Sequence, residues 1–310
     1  MPQPATVAFL GPPGTFTEEA LLTQADLAGA RRHAAGSVPD VVAAVERGEA
    51  ELGIVPIENS IEGSVALTLD VLTFETDLLI QREVDLPVSL NLCAAPGTGL
   101  GEVRRVTTIP IAAAQCRQWL TRKLPEVDVV PAPSTADAAR TVARSRRRGT
   151  AAICTRHAAR RYGLVVLAAE IEDHPENRTR FVVLGRGIPA PTGHDKTSVV
   201  CFQRHDRPGS LLAILQEFAA RSINLTKLES RPTKRSLGDY CFVIDCEGHI
   251  ADELVADCLR ALAAKQARVK FLGSYPVAGE EAHHRRRAAT KAWRDATRWV
   301  EELRAQVRDR

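Results

Sequence analysis

Residues 185 to 193 read Gly185-Arg186-Gly187-Ile188-Pro189-Ala190-Pro191-Thr192-Gly193. Glycine loses the most backbone freedom on ordering and proline has no N–H to give to a ladder, so neither a helix nor a central strand runs through this stretch. The chain must therefore fold as two bodies, a longer one before the break and a shorter one after it. Its 310 residues agree, since single hydrophobic cores rarely serve a chain of that length. At 45% hydrophobic and 25% charged residues, it carries enough apolar surface for sizeable cores.

The longer body begins with an apolar run at 5–10, a Gly11-Pro12-Pro13-Gly14 turn and a helical pattern over 15–27. That is strand, turn, helix. Ser37 with Asp40 three residues on then opens a helix through Val41, Val42 and Val45, Gly48 closes it, and 52–57 supplies a buried strand. A helix over 63–74 and extended segments at 78–84 and 88–94 follow. About a hundred residues after the first such unit, Ser134 and Asp137 open another helix, Gly149 closes it, and Ala151-Ala152-Ile153-Cys154 is again a short strand. The recurrence of Ser-x-x-Asp, helix, Gly, strand implies two similar α/β lobes with a cleft between them, the architecture of a two-lobed, periplasmic-binding-protein-like domain over 5–185.

Past a linker at 186–196, the order is strand (198–203), helix (209–220), strand (224–230), strand (240–246), helix (252–266), strand (269–275). This βαββαβ order predicts a ferredoxin-like α+β sandwich over 197–275, with its helices on one sheet face and the other face open. In the remaining 276–310, Ala289, Trp293, Ala296, Val300, Leu303 and Val307 recur at spacings of 4, 3, 4, 3 and 4, the seam of an amphipathic helix.

The formal charge of +3 lies wholly in that tail: 276–310 hold 9 basic and 6 acidic groups, so residues 1–275 are formally neutral. With 5% aromatic residues and no interleaving of rings with basic groups, the chain lacks the stacking platform of a nucleic-acid binder. It shows no leader pattern and no apolar stretch of membrane-spanning length, so a soluble cytoplasmic protein is expected. Seven Cys, an odd number without C-x-x-C or Cys/His metal spacing, are expected to be small core residues.

Several short segments carry chemistry. Thr15-Phe16-Thr17-Glu18 opens a helix directly after the Gly/Pro turn, which suits either a simple cap or an anion at the helix start. Pro56-Ile57-Glu58-Asn59-Ser60-Ile61-Glu62-Gly63-Ser64 lies where a buried strand ends, the edge at which open α/β sheets bind ligands. Asn177-Arg178-Thr179-Arg180-Phe181 sets a hydroxyl between two guanidiniums just before a buried strand, and Arg178 or Arg180 would suit a carboxylate.

Taken together, Gly11-Pro12-x-Gly14-Thr15-Phe16, Pro56-Ile57-Glu58-Asn59-Ser60 with Gly63-Ser64-Val65, Ala114-Gln115-Cys116 with Trp119-Leu120, Thr179-Arg180-Phe181 and Glu229-Ser230-Arg231-Pro232 resemble the prephenate dehydratase family, in one order over 5–275. The second body resembles an ACT domain, an amino-acid-sensing module. The resemblance implies decarboxylating dehydration of prephenate to phenylpyruvate, with no metal or organic cofactor. It puts catalytic roles on Thr179, Asn59 and Gln115, and substrate contacts on Thr15, Phe16, Ser60, Thr108, Arg178, Arg180 and Phe181. It also implies feedback by L-phenylalanine at Gly209, Ser210, Leu211, Asn224, Leu225, Glu229 and Ser230, in a homodimer or homotetramer. Many members carry Ser-His-Pro where this chain has Thr108-Ile109-Pro110, and Ile109 cannot replace an imidazole. Arogenate dehydration and a non-catalytic amino-acid sensor remain as alternatives, the intact Thr179-Arg180-Phe181 speaking against the latter.

Overall fold

In a computed structural model of the chain, the described residues are 4–145, 147–203, 207–234, 238–266 and 268–278. They fall into two units, Met1–Gly187 and Ile188–Arg310. The first unit opens with β1 (Thr6–Leu10), α1 (Phe16–Leu22), α2 (Ala25–Ala28), β2 (Arg31–Ala35), α3 (Val38–Glu46) and β3 (Leu52–Asn59). The short β4 (Gly63–Ser64), α4 (Ala66–Phe74) and β5 (Leu79–Pro87) follow. Next come β6 (Asn91–Ala94), β7 (Arg105–Thr108), α5 (Pro110–Gln115), α6 (Arg117–Lys123), β8 (Asp128–Pro131), α7 (Thr135–Ser145), β9 (Thr150–Cys154), α8 (Arg156–Tyr162), β10 (Val165–Ala168) and finally β11 (Arg178–Gly185).

These strands make two mixed sheets, one ordered β2-β1-β3-β11-β5 with β4 on β3, the other β10-β6-β9-β7-β8. The chain leaves the first sheet after β5 and returns only as β11, which lies antiparallel between β3 and β5. Each sheet with its helices is one lobe, and the two connections at 88–90 and 169–177 join them.

The internal repeat is physical. Ser37 Oγ accepts from Asp40 N at the start of α3, and Ser134 Oγ accepts from Asp137 N at the start of α7. Both hydroxyls also donate to those aspartates. Gly48 and Gly149 follow the two helices with φ of +74° and +80°, conformations that side chains other than glycine rarely adopt. The strands they lead into, β3 and β9, sit in the middle of their sheets.

Two local expectations change, and one strand is new. The helix read over 15–27 breaks after Leu22, where Thr23 Oγ1 donates to the Ala20 carbonyl. The helix read from Gly63 starts at Ala66 instead, because Gly63 has φ +81° and Gly63–Ser64 pair with β3. Strand β2 carries no strand signal in its sequence, since Arg31, Arg32 and His33 are exposed on it and give no apolar alternation.

The lobes are tied on one side by α8 and the Gly11–Gly14 turn. Tyr162 Oη donates to Pro13 O at 2.7 Å and Thr155 Oγ1 to Gly14 O at 3.3 Å. Beneath the turn lies Glu18, whose side chain is 2% exposed. Its Oε2 accepts from Gly14 N at 2.6 Å and contacts His157 Nε2 at 2.9 Å, while Oε1 lies 3.4 Å from Arg32 and 3.9 Å from Arg161. Burial opposes ionisation of Glu18, but His157, the Gly14 N–H and Arg161 outweigh it and hold the carboxyl below the ordinary range.

The second unit contains β12 (Asp195–Phe202), α9 (Ser210–Ala219), β13 (Leu225–Pro232), β14 (Tyr240–Glu247), α10 (Glu253–Lys265) and β15 (Arg268–Pro276), with sheet order β13-β14-β12-β15. Strand β12 thus begins inside the segment read as linker. Val199, Cys201, Ile244 and Cys246 pack under the two helices with Phe218 and Leu262. The alternate face is not open as expected: Ser198, Val200, Val243, Asp245 and Tyr275 on it are also buried. Its polar groups are satisfied, Ser198 Oγ donating to Asp245 Oδ1 and pairing with Tyr275 Oη. Of the expected tail helix, residues 279–310 lie outside the described residues. All seven Cys are buried and free, and no helix among the described residues is long and apolar enough to cross a membrane.

Two outcomes are expected. A Cβ on Gly53 would meet Val41 Cγ1 at 2.7 Å and Val45 Cγ2 at 3.1 Å, both on χ1-stiff side chains. Gly53→Ala should lower the unfolding free energy by about 1–3 kcal/mol, read as a lower denaturant midpoint at unchanged m value. The folded carboxyl of Glu18 lies below its unfolded value, so its stabilisation is complete above the unfolded pKa of about 4.3 and vanishes as pH falls through the folded one. Glu18→Gln should therefore be less stable than the parent near neutrality, with the gap in melting temperature narrowing in acid. A gap that is constant with pH would show that the charge of Glu18 plays no part.

Candidate functional site

A cavity of about 710 Å³ opens between the two lobes of the first unit. Strand alternation places side chains on it: Thr179 and Phe181 of β11 face the cavity, so Arg178 and Arg180 between and before them face away. From β3 comes Asn59, and from α5 comes Gln115. Three helices begin at its wall, represented by Phe16 and Thr17 of α1, Ile111 and Ala112 of α5, and Thr135 of α7. First-turn N–H groups have no intrahelical acceptor, so helix starts place donors and positive dipole ends near the cavity, although α5 opens on Pro110, which has no N–H, and Ser134 Oγ already takes the Asp137 N–H of α7. Phe16 also packs against the cores of both lobes.

Asn59 organises the polar wall. Its Oδ1 accepts from the backbone N–H of Ile61 and of Glu62, both at 3.0 Å. Backbone N–H groups can only donate, so the amide has one orientation and its Nδ2 points the other way. There it donates to Asn177 Oδ1 at 2.8 Å, Thr179 Oγ1 at 3.0 Å and Arg178 O at 3.1 Å. Because Thr179 Oγ1 accepts from Asn59, its own proton is left to point elsewhere. Beyond Asn177, Gln115 Nε2 donates to Glu62 Oε1 at 3.2 Å.

The cavity brings together Thr15, Phe16, Asn59, Gln115, Thr179 and Phe181 of the expected set. Thr15 spends its proton on Leu10 O at 3.0 Å. The other expected contacts do not line it. Arg180 bridges Glu58 at 2.9 Å and Glu83 at 3.1 Å across three strands, and Arg178 pairs with Asp85 at 2.7 Å. Neither Arg178 nor Arg180 lines this cavity; their strand positions send them to the opposite face. Thr108 is buried and donates to Ile153 O, leaving its neighbour Ile109 on the wall. Ser60 braces the return strand, accepting from Arg178 N and donating to Asn177 Oδ1.

Residues outside the expected set also line the cavity, among them Glu62, Ser64, Ser134 and Thr135. No Lys, Arg or His is among the described residues that line it. Its one ionisable side chain is Glu62, which the sequence could have offered through the polar run after β3.

In the second unit, a cavity of about 420 Å³ sits at the start of α9 and is lined by Gly209, Ser210, Leu211 and Ser230, with Arg207 and Tyr240 beside them. Asn224, Leu225 and Glu229 do not line it. Asn224 donates to Glu247, Leu225 packs against the core, and Glu229 pairs with Lys227 and Arg231. These three are engaged by the sheet and its neighbours instead.

Comparison with known proteins agrees with this division of the chain. The prephenate dehydratase family model matches residues 7–188, and the ACT domain model matches 197–264. A prephenate dehydratase of Mycolicibacterium vanbaalenii is 45% identical over 313 residues, covering 96% of this chain and 98% of the relative. The crystal structure of a prephenate dehydratase from Arthrobacter aurescens in complex with L-Phe is 41% identical with a TM-score of 0.86, covering 96% of this chain and 99% of that one. A structure described as GqqA, a novel type of quorum-quenching acylase, is 31% identical with a TM-score of 0.79, covering 88% and 98%. With a family model over more than half its length and a 45% identical relative along nearly all of both chains, this chain belongs to the prephenate dehydratase family.

Proposed function

We propose that the first unit converts prephenate to phenylpyruvate, carbon dioxide and water, and that the second unit regulates it. The observation that carries this reading is the Thr179 hydroxyl, fixed by Asn59 in the wall of a cleft of substrate size. In the reaction, the ring carbon–carboxylate bond breaks to give carbon dioxide and its electron pair aromatises the ring. The hydroxyl across the ring leaves and takes up one proton, drawn from solvent, to become water. Thr179 is far too weak an acid to give up its proton fully near neutrality. Its role is a hydrogen bond to the departing hydroxyl, made by the proton that Asn59 leaves free. Gln115 offers its amide N–H groups on the opposite lobe, and Phe16 and Phe181 supply apolar surface for a ring becoming aromatic.

Among the described residues no cationic side chain lines the cleft, so the substrate's two carboxylates are read as held by neutral donors. We assign them to the first-turn N–H groups of α7 and of the segment after Thr15, together with lining hydroxyls such as Ser64. Glu62 favours a second substrate: arogenate carries an ammonium where prephenate carries a keto group, and Glu62 is the ionisable group able to pair with it.

For the second unit, the cavity at Gly209, Ser210 and Leu211 supports L-phenylalanine as the effector. Its helix-start N–H groups suit a carboxylate and Leu211, Leu215 and Tyr240 suit a ring. Effector binding is read as a population shift that lowers activity in a cytoplasmic homodimer or homotetramer.

Side-by-side assays of phenylpyruvate from prephenate and phenylalanine from arogenate should show turnover of prephenate, falling about 10²-fold or more in Thr179→Ala and largely kept in Thr179→Ser. Near-normal turnover in a folded Thr179→Ala would sink the assignment. L-phenylalanine should lower the rate, and Gly209→Val should raise its half-effective concentration by about tenfold or more, an effect of ~1.4 kcal/mol, with the uninhibited rate unchanged. An enzyme indifferent to L-phenylalanine in rate and assembly would overturn the regulatory half alone.

A further inference from the structure

Asn177 precedes β11 and does not line the cavity, yet its side chain joins the two walls. It is 1% exposed. Its backbone is pinned at both ends, N–H to His174 O at 3.1 Å and C=O from Val88 N at 2.8 Å. Its Oδ1 accepts from Asn59 Nδ2 at 2.8 Å and from Ser60 Oγ at 3.3 Å, and its Nδ2 donates to Gln115 Oε1 at 3.2 Å. Asn59 belongs to one lobe and Gln115 to the other, so Asn177 sits in the connection between them.

An amide side chain has a donor end and an acceptor end, and which end faces the cavity decides what a substrate oxygen meets. The N–H groups of Ile61 and Glu62 fix Asn59, and Asn59 offers its donor end to Asn177. Asn177 must then turn its acceptor toward Asn59, which leaves its donor end for Gln115. Gln115 in turn must direct Oε1 at Asn177 and Nε2 at Glu62 and the cleft. Two backbone amides thus set three side-chain amides in series. We propose that Asn177 is a positioning residue for the reaction: it transmits the orientation of Asn59 across the lobes and makes Gln115 present a donor, not an acceptor, to the substrate. This rests on the reading that the cleft dehydrates prephenate or arogenate.

Asn177→Asp tests it with nearly the same shape. The carboxylate still accepts from Asn59 and Ser60 but has nothing to donate. Gln115 is then expected to rotate, donating Nε2 to Asp, which breaks its bond to Glu62 and turns the acceptor Oε1 toward the substrate. kcat/KM should fall about 10²-fold, the scale of one lost donor. In a Gln115→Ala background the same substitution should cost less than about threefold, because the residue it acts through is gone. Gln115→Glu is a second route to the same loss: it keeps an acceptor for Asn177 Nδ2 and removes the cleft donor, so its rate should fall to a similar degree. Thermal unfolding of each variant separates loss of rate from loss of fold. An equal penalty for Asn177→Asp in both backgrounds, or a near-normal rate in Gln115→Glu, would overturn the proposal. A parent enzyme inactive on both substrates would instead overturn the functional reading.

Discussion

The acceptance of two backbone N–H groups by Asn59 Oδ1 is the constraint on which the polar half of the cleft depends. Main-chain donors cannot reverse their polarity, whereas hydroxyls and amides can. By closing the turn after β3 onto the side chain of its last residue, the chain converts a fixed polarity into a fixed orientation for Asn59 and, through it, for the Thr179 hydroxyl. Nothing in that sequence of bonds needs a charge. This matters because neutral dipoles already aligned cost no reorganisation when charge moves during the reaction.

A cleft with no cationic side chain among the described residues that line it is at first sight a poor host for a dianion, and the energetics explain the arrangement. A guanidinium in the wall would bind the departing carboxylate most tightly in the ground state, where its charge is whole, and would oppose its conversion to neutral carbon dioxide. Binding that is stronger before the reaction than in its transition state does not raise kcat. Helix-start N–H groups bind anions more weakly and can be shared among both ends of the substrate. The Arg180 guanidinium is used instead to cross-link β3, β11 and β5 through Glu58 and Glu83, which stiffens the strands that present Asn59 and Thr179.

Features with local causes were legible in the sequence. Ser37 with Asp40 and Ser134 with Asp137 are capping chemistry within four residues, and so are Gly48 and Gly149, which is why the twofold lobe pattern could be read before any long-range contact was known. The positions of Thr15, Asn59, Gln115 and Thr179 on one cavity followed from family resemblance, not from spacing. The placement of Arg178 and Arg180 away from the cavity had a signal in the sequence, because on a strand the neighbours of an inward Thr179 point outward. The same alternation puts Asn177 on the side of Thr179 and Phe181. Strand β2 was illegible for a different reason: it is an edge strand held by backbone pairing to β1, with exposed Arg31, Arg32 and His33 that carry no pattern.

Three basic side chains sit behind the turn rather than in the cleft. Arg32, His157 and Arg161 surround Glu18, and Glu18 in turn holds the Gly14 N–H. Gly14 has φ +100°, and a Cβ there would meet Tyr162 at 3.2 Å and the Ala158 backbone at 3.4 Å, so the two lobes approach each other as closely at this point as a bare backbone allows. A negative group in the first turn of α1 suits the helix dipole, and the Gly14 N–H with His157 and Arg161 of α8 offsets its burial. The consequence is a rigid joint on one side of the cleft, with Phe16 packed into both cores. On the other side, contact between lobes runs through Asn177, Gln115 and Glu62, polar groups that can exchange partners with a substrate. Since residues 1–275 are formally neutral, capture of an anion relies on these aimed groups and not on a long-range field.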